Sequence, residues 1–297
     1  MKYITFRDNK ISKLSLGTVQ FGLSYGVANK KGQPTQIDVD NIVDYVISKG
    51  VNCFDTAQAY GNSEEVLGKS LYGKNFIVSK VKSDVFIDNF DDSMQSSLQK
   101  LNVESLFGLL LHDMEIFYHD YSLLQTKINL AKSKGYFKYF GVSIYSKEDF
   151  DIAINNDLID MIQLPFNIFD QRAISEKWFE RAREKNKLIF IRSIFLQGLL
   201  LMDSKHIPAK LDDARKYIYD LDKLCHNFNM TRLELSLAFV EALSQDSILL
   251  FGCDSLEQAQ CNISLYDNYK SLSKHQVLEV IETFCEVPEK IYIPTNW

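Results

Sequence analysis

The chain has 297 residues, 46% hydrophobic and 24% charged, with a formal net charge of −6 and a pI near 5.5. That is the make-up of a folded protein with a substantial core, and basic residues outnumbered by interspersed acids give no footprint for nucleic acid or an anionic membrane. Five cysteines without C-x-x-C spacing argue against a disulfide framework or a cysteine zinc site, and neither a signal-peptide run nor about 18 uninterrupted apolar residues occurs, so a cytoplasmic protein, monomer or weak homo-oligomer, is expected.

In chain order, 3–16 reads as an N-terminal β-hairpin around Asp8-Asn9. Strands are expected at 13–17, 52–55, 76–80, 105–112, 139–143, 161–164, 188–193 and 247–251. Several are near-continuous apolar runs, such as Leu188-Ile189-Phe190-Ile191, the pattern of parallel strands buried on both faces. Amphipathic helices alternate with them. The 38–49 segment puts Ile42, Val43, Val46 and Ile47 on one side and stops at Gly50; 92–101 and 121–134 behave alike, the latter closing on Gly135. Eight βα units predict an α/β fold, a (β/α)8 TIM barrel forming a single domain over 1–297. A doubly wound open sheet is the runner-up, but its Gly-x-Gly-x-x-Gly turn is missing. The longer segments 22–36 and 200–214 are where ligand handling is expected.

Active sites of such barrels form at the C-terminal ends of the strands. There the second strand ends in Phe54-Asp55-Thr56-Ala57-Gln58-Ala59-Tyr60-Gly61, the third in Val78-Ser79-Lys80 and the fourth in Leu110-Leu111-His112-Asp113. Each residue alone has an ordinary reading: a turn-capping Asp, a packed Tyr, a snorkelling Lys, a structural His. Together they compose a proton donor. An ammonium beside the phenol is expected to lower its pKa, a carboxylate holds the ammonium, and the histidine orients a substrate oxygen.

These residues carry a resemblance. Phe54-Asp55-Thr56-Ala57-Gln58-Ala59-Tyr60-Gly61-Asn62-Ser63-Glu64-Glu65-Val66-Leu67-Gly68 is similar to the main motif of the aldo-keto reductases, and the match extends from Leu16-Gly17-Thr18 to Asn262. The resemblance implies a carbonyl reductase or alcohol dehydrogenase with a catalytic tetrad of Asp55, Tyr60, Lys80 and His112. It also implies a nicotinamide cofactor, NADPH by family default, with NADH as the alternative. Ser143 and Gln163 would hold the carboxamide, Thr18 would lie near the nicotinamide ribose, Arg192 and Ser193 would belong to the cofactor site, and Leu196 and Gly198 would lie in the loop that wraps the pyrophosphate. Gly252, Asp254, Gln258 and Asn262 would take the adenosine end.

The sequence departs from that pattern in places. Ile144 follows Ser143 where the family carries Asn, Arg192 stands where many members stack an aromatic ring, and Gly252 and Gln258 replace a Lys or Arg that would meet a 2′-phosphate. Asp254 would instead accept from a ribose hydroxyl. The substrate is expected to be a small carbonyl compound, with a sugar as one class, walled by Tyr25, Phe117, Tyr118 and Trp297; the polar stretch 27–33 reads either as substrate-binding or as solvated. Two rival readings are a cofactor-binding regulatory subunit or redox sensor on the same fold, and a metal-dependent hydrolase. The latter is weak because the histidines are scattered, so no metal is expected.

Overall fold

The computed structural model describes residues 1–26 and 32–297, apart from the side chains of His119 and Thr295. Most of the polar stretch expected near the substrate thus lies outside the described residues. Among the described residues the strands are β1 (Tyr3–Phe6), β2 (Asn9–Ser12), β3 (Leu14–Gly17), β4 (Cys53–Asp55), β5 (Phe76–Val81), β6 (Leu106–Leu111), β7 (Phe137–Ser143), β8 (Met161–Pro165), β9 (Leu188–Arg192) and β10 (Ser247–Gly252). Eight of them, β3 to β10, form a closed parallel barrel in sequence order, sealed where Leu249 pairs with Leu14 and Gly252 with Gly17. The expected (β/α)8 barrel is therefore the fold, with the expected hairpin in front of it.

The strands close because their residues are apolar on both faces. All six residues of β6 are buried, and the outward ones meet the surrounding helices. The helix Gln36–Ser48 shows how each crossover is punctuated. Thr35 and Asp38 form a reciprocal capping box at its start, and Gly50 leaves it at a φ of 87°.

The hairpin of β1 and β2 plugs the barrel floor. Phe6 and Ile11 pack with Cys53, Val78, Phe107, Tyr139 and Phe190 in a separate buried cluster, Phe6 lying edge-on to Tyr139 at 5.1 Å. Its turn is Arg7-Asp8, not Asp8-Asn9: Arg7 takes the left-handed φ of 52°, and Asn9 belongs to β2. Asn9 is claimed by the barrel, its Nδ2 donating to the Phe6 carbonyl at 3.2 Å and the Tyr139 hydroxyl at 3.0 Å. Among the described residues no helix is long and apolar enough to cross a membrane.

Candidate active site

Three neighbouring barrel strands, β4, β5 and β6, and the turn after β4 bring the expected tetrad to the open end. Asp55 ends β4, Lys80 lies in β5, and His112 follows β6 with its amide bonded to the Val81 carbonyl at 2.8 Å. Tyr60 comes from the turn after β4. Lys80 is 1% exposed and its Nζ donates to Asp55 Oδ2 at 2.5 Å and to the Thr56 carbonyl at 2.9 Å. The same ammonium stands 4.9 Å from the centre of the Tyr60 ring, and His112 meets that ring edge-on at 5.7 Å. The second oxygen of Asp55, Oδ1, accepts from Gln163 Nε2 at 2.7 Å. The carboxylate is thereby fixed between two donors, and the ammonium between the carboxylate and the phenol.

The turn that carries Tyr60 is held by backbone contact. Gly61 has a φ of 58°, and its α-carbon packs on Gly22 so closely that an added methyl would lie 2.4 Å from the Gly22 carbonyl oxygen. A methyl on Gly22 would lie 1.7 Å from the Tyr60 carbonyl oxygen, which has nowhere to retreat. Gly22→Ala should therefore cost about 1–3 kcal/mol of stability and displace the phenol. Urea unfolding together with kcat checks this, and a variant that kept both would show that the turn repacks freely. Below this turn, the Ser63 hydroxyl ties together Thr18 (2.8 Å) and Thr56 (3.1 Å), and buried Glu64 accepts from Ser79 and Ser97.

The electrostatics differ from the sequence expectation at one point. Burial pushes the Tyr60 phenol above its ordinary pKa; Lys80 opposes that shift without overcoming it. Desolvation of a buried phenolate outweighs the nearby cation, so the expected lowering is reversed and Tyr60 keeps its proton near neutrality. Lys80 itself is penalised by burial, but Asp55 and Tyr60 outweigh the penalty and hold it charged.

His112 is held neutral. Burial, then the Lys80 and Arg192 cations, lower its pKa from 6.5 to about 4. Between those values the folded ring binds fewer protons than the unfolded one, so stability falls as pH drops through that window and is unaffected by this group above it. His112→Gln should remove that slope. The Tm difference between the two proteins should move in the variant's favour between pH 6.5 and about 4. Parallel Tm curves would show that the ring protonates without cost.

A cavity of about 430 Å³ runs from Tyr60 and Asp55 past Arg192 and Gly198 to Gly252 and Asn262. It takes in most of the expected cofactor residues: Thr18, Gln163, Arg192, Ser193, Gly198, Gly252, Asp254, Gln258 and Asn262 all line it. Ser143 and Leu196 do not; both are buried behind its wall. Thr18 has less freedom than expected, since its hydroxyl donates to the Asp55 carbonyl at 3.0 Å. Of the expected substrate walls, Tyr25 lines the cavity. Phe117 packs against the core and Trp297 donates to the Ile291 carbonyl at 3.2 Å, while Tyr118 is exposed and bonded to Asp149. Their aromatic area is spent on packing and on surface bonds. Gln20, which sequence reasoning passed over, lines the cavity with a buried, unpartnered Oε1; nothing in the local pattern marks it.

The expected long segment after β9 is a chain of short turns, Leu196–Leu201, Ser204–His206 and Ala209–Leu211. Its start is unusual backbone: Ser193, Leu196, Gln197 and Gly198 have φ of 62°, 50°, 53° and 93°. Within this turn the Leu196 amide donates to the Ser193 carbonyl and the Gly198 amide to the Phe195 carbonyl, both at 2.9 Å. Arg192 lies flat on Tyr145, 4.0 Å from the ring centre, and donates to the Ile144 carbonyl at 3.0 Å.

Comparison with known proteins places these features in context. The model of the aldo/keto reductase family matches residues 13–282. D-arabinose 1-dehydrogenase of Saccharomyces cerevisiae is similar at 23% identity over 89% of this chain and 88% of that protein. The holo form of an aldo-keto reductase from Bacillus halodurans superposes with a TM-score of 0.77 at 18% identity, covering 100% of both chains. An aldo/keto reductase from Klebsiella pneumoniae in complex with NADP and acetate gives 0.70 at 17% identity, covering 97% of each.

Proposed function

Since the chain belongs to the aldo/keto reductase family, we propose that it is a nicotinamide-dependent oxidoreductase that reduces an aldehyde or ketone to an alcohol with Tyr60 as general acid. The observation that carries this reading is the buried relay from Gln163 through Asp55 and Lys80 to Tyr60, all within one mouth of the barrel.

The cavity suits an extended dinucleotide. Its volume falls within the range of small-molecule sites, roughly 300–1,000 Å³. Arg192 Nε, Gln20 Oε1 and Asp254 Oδ1 line it or sit in its wall as buried atoms with no partner. The turn from Ser193 to Gly198 borders the phosphate path, with its Leu196 and Gly198 amides tied to the Ser193 and Phe195 carbonyls, and the Gln163 side chain, its Nε2 committed to Asp55, leaves a carbonyl oxygen for a carboxamide.

When bound, the reduced nicotinamide supplies the hydride. The rest is done by the chain. Tyr60 donates its proton to the substrate oxygen as negative charge grows there, and Lys80 stabilises the phenolate left behind. Asp55 keeps the ammonium charged and in place, and Gln163 keeps Asp55 in place. His112, held neutral, packs edge-on against the Tyr60 ring and helps to fix the phenol that delivers the proton. Arg192, a cation lining the same cavity, would favour a neutral, reduced nicotinamide over a cationic one, which supports reduction as the working direction.

A sugar or related hydroxylated carbonyl is the substrate class best supported, through the relative that acts on D-arabinose. A panel of aldehydes, ketones and free sugars, followed by reduced-nicotinamide absorbance with NADH and NADPH in parallel, tests the reading. Turnover of at least one class is expected. Binding of the nucleotide without turnover of any would leave the regulatory-subunit reading in its place.

A further inference from the structure

Below the tetrad the chain buries a carboxylate that the proton relay does not use. Glu64 is 3% exposed and lies in the helix Ser63–Ser70, which follows the Tyr60 turn. Among the described residues its oxygens are satisfied by serine hydroxyls and not by a cation: Oε1 accepts from Ser79 Oγ at 2.6 Å and Oε2 from Ser97 Oγ at 2.9 Å. Burial pushes this carboxyl above its ordinary pKa, and the two serines oppose the shift. An apolar side chain of similar size would fill the same space without the desolvation cost. What the acid adds over such a side chain is this pair of bonds.

The bonds belong to a closed ring around the catalytic turn. Ser79 immediately precedes Lys80 in β5. Ser97 lies in the helix Phe90–Leu101 and accepts in turn from Gln58 Nε2 at 3.0 Å, while Gln58 Oε1 accepts from Ser93 Oγ at 2.9 Å. Gln58 stands between Asp55 and Tyr60 in the chain, and its amide donates to the Lys80 carbonyl at 3.0 Å, which brings the ring back to β5. The Tyr60 amide donates to the Ala57 carbonyl of the same turn at 3.0 Å. Backbone contact lets Glu64 reach Ser97: a methyl on Gly68 would lie 2.1 Å from the Lys100 carbonyl oxygen, so the two helices meet at a distance only glycine allows.

We propose that Glu64 is a positioning residue for the reduction, holding β5 and the Tyr60 turn in one register so that the Lys80 ammonium stays 4.9 Å from the centre of the Tyr60 ring. The proposal rests on the reading of Tyr60 as general acid and adds the group that sets its distance from Lys80. Glu64 is not among the residues that line the cavity, so it acts through the ring and not on the substrate. Ser79 and Ser97 are themselves buried, which keeps water from competing for their protons. A break anywhere in the ring frees the turn from the strand, and a displacement of about 1 Å at a catalytic group costs on the order of 10²-fold in rate.

The test is steady-state kinetics on the full chain, read on the carbonyl compound of the panel above that the wild type reduces fastest, beginning with glyceraldehyde. Glu64→Leu, which fills the space and removes both acceptors, should lower kcat about 10-fold to 100-fold, while KM and the affinity for reduced nucleotide stay within about twofold. The alkaline limb of its kcat–pH profile should move to higher pH, because a phenol farther from Lys80 loses part of the cation's opposition to burial. Glu64→Gln, which keeps the shape and one acceptor oxygen, should return kcat to within about threefold of wild type and restore the limb. Gln58→Met breaks the ring on its other side, at a half-buried residue, and should reproduce both changes; it decides the matter if Glu64→Leu does not fold. Wild-type kcat in Glu64→Leu or in Gln58→Met overturns the proposal. So does a loss of kcat with the limb unmoved, or a Gln variant as impaired as the Leu variant. Each of these leaves the reductase reading intact, whereas a wild type that turns over no carbonyl in the panel removes both.

Discussion

Replacing Tyr60 by Phe should leave the protein folded, leave nucleotide binding unchanged and reduce kcat by at least about 10²–10⁴-fold, the range general acids contribute. The substitution removes one oxygen and no packing, because the ring itself meets His112 edge-on and lies against the Lys80 ammonium. The loss should fall on kcat more than on KM, since the proton is delivered only as charge builds on the substrate oxygen. Rapid measurement of single-turnover hydride transfer, beside a fluorescence titration with reduced nucleotide, separates the two. Turnover in the Phe variant close to wild type would remove Tyr60 from the chemistry.

Lys80→Met should be costly in two independent ways. Lys80 is 1% exposed and Asp55 is 3% exposed, so removing the ammonium strands a buried carboxylate whose remaining side-chain donor is Gln163. Breaking such a pair costs about 3–5 kcal/mol. Catalysis should fall as well, because the phenol, already raised by burial, loses the cation that pulls it down. The limb of the pH–rate profile that reports Tyr60 should shift to higher pH while the plateau drops. The double variant Lys80→Met/Asp55→Asn distinguishes these effects. It should regain part of the lost stability, since no unpaired charge remains, and regain none of the activity. Recovery of kcat in the double variant would show that Lys80 serves only to neutralise Asp55.

How far the sequence alone leads can be judged at these same residues. Asp55, Lys80 and His112 were legible because each follows an apolar strand run, and in a closed parallel barrel all such positions share one rim. The helix stops at Gly50 and Gly135 were legible for a local reason, a left-handed residue that favours glycine. What escaped depends on distance through space. The fate of Phe117 and Trp297 is decided by whether a core or a carbonyl lies within reach, and no local pattern encodes that. The direction of the Tyr60 shift is a contest between desolvation and one cation, and its outcome needs the burial that only the folded chain supplies. The hairpin turn fell one residue from its expected place because Asn9 bonds to Tyr139, 130 residues away.

The seal between β3 and β10 has a consequence for how the molecule comes into being. Leu14 pairs with Leu249 and Gly17 with Gly252, so the first barrel strand waits for the last. During synthesis every member of the tetrad has emerged long before its container can shut. A nascent chain stopped short of β10 holds Asp55, Tyr60, Lys80 and His112 but leaves the edges of β3 and β9 unpaired. Such long-range closure is slow and leaves strand edges open to wrong partners in the interval. A chain truncated before β10 is therefore expected to show no turnover although it holds Asp55, Tyr60, Lys80 and His112, because the barrel that brings them together cannot close.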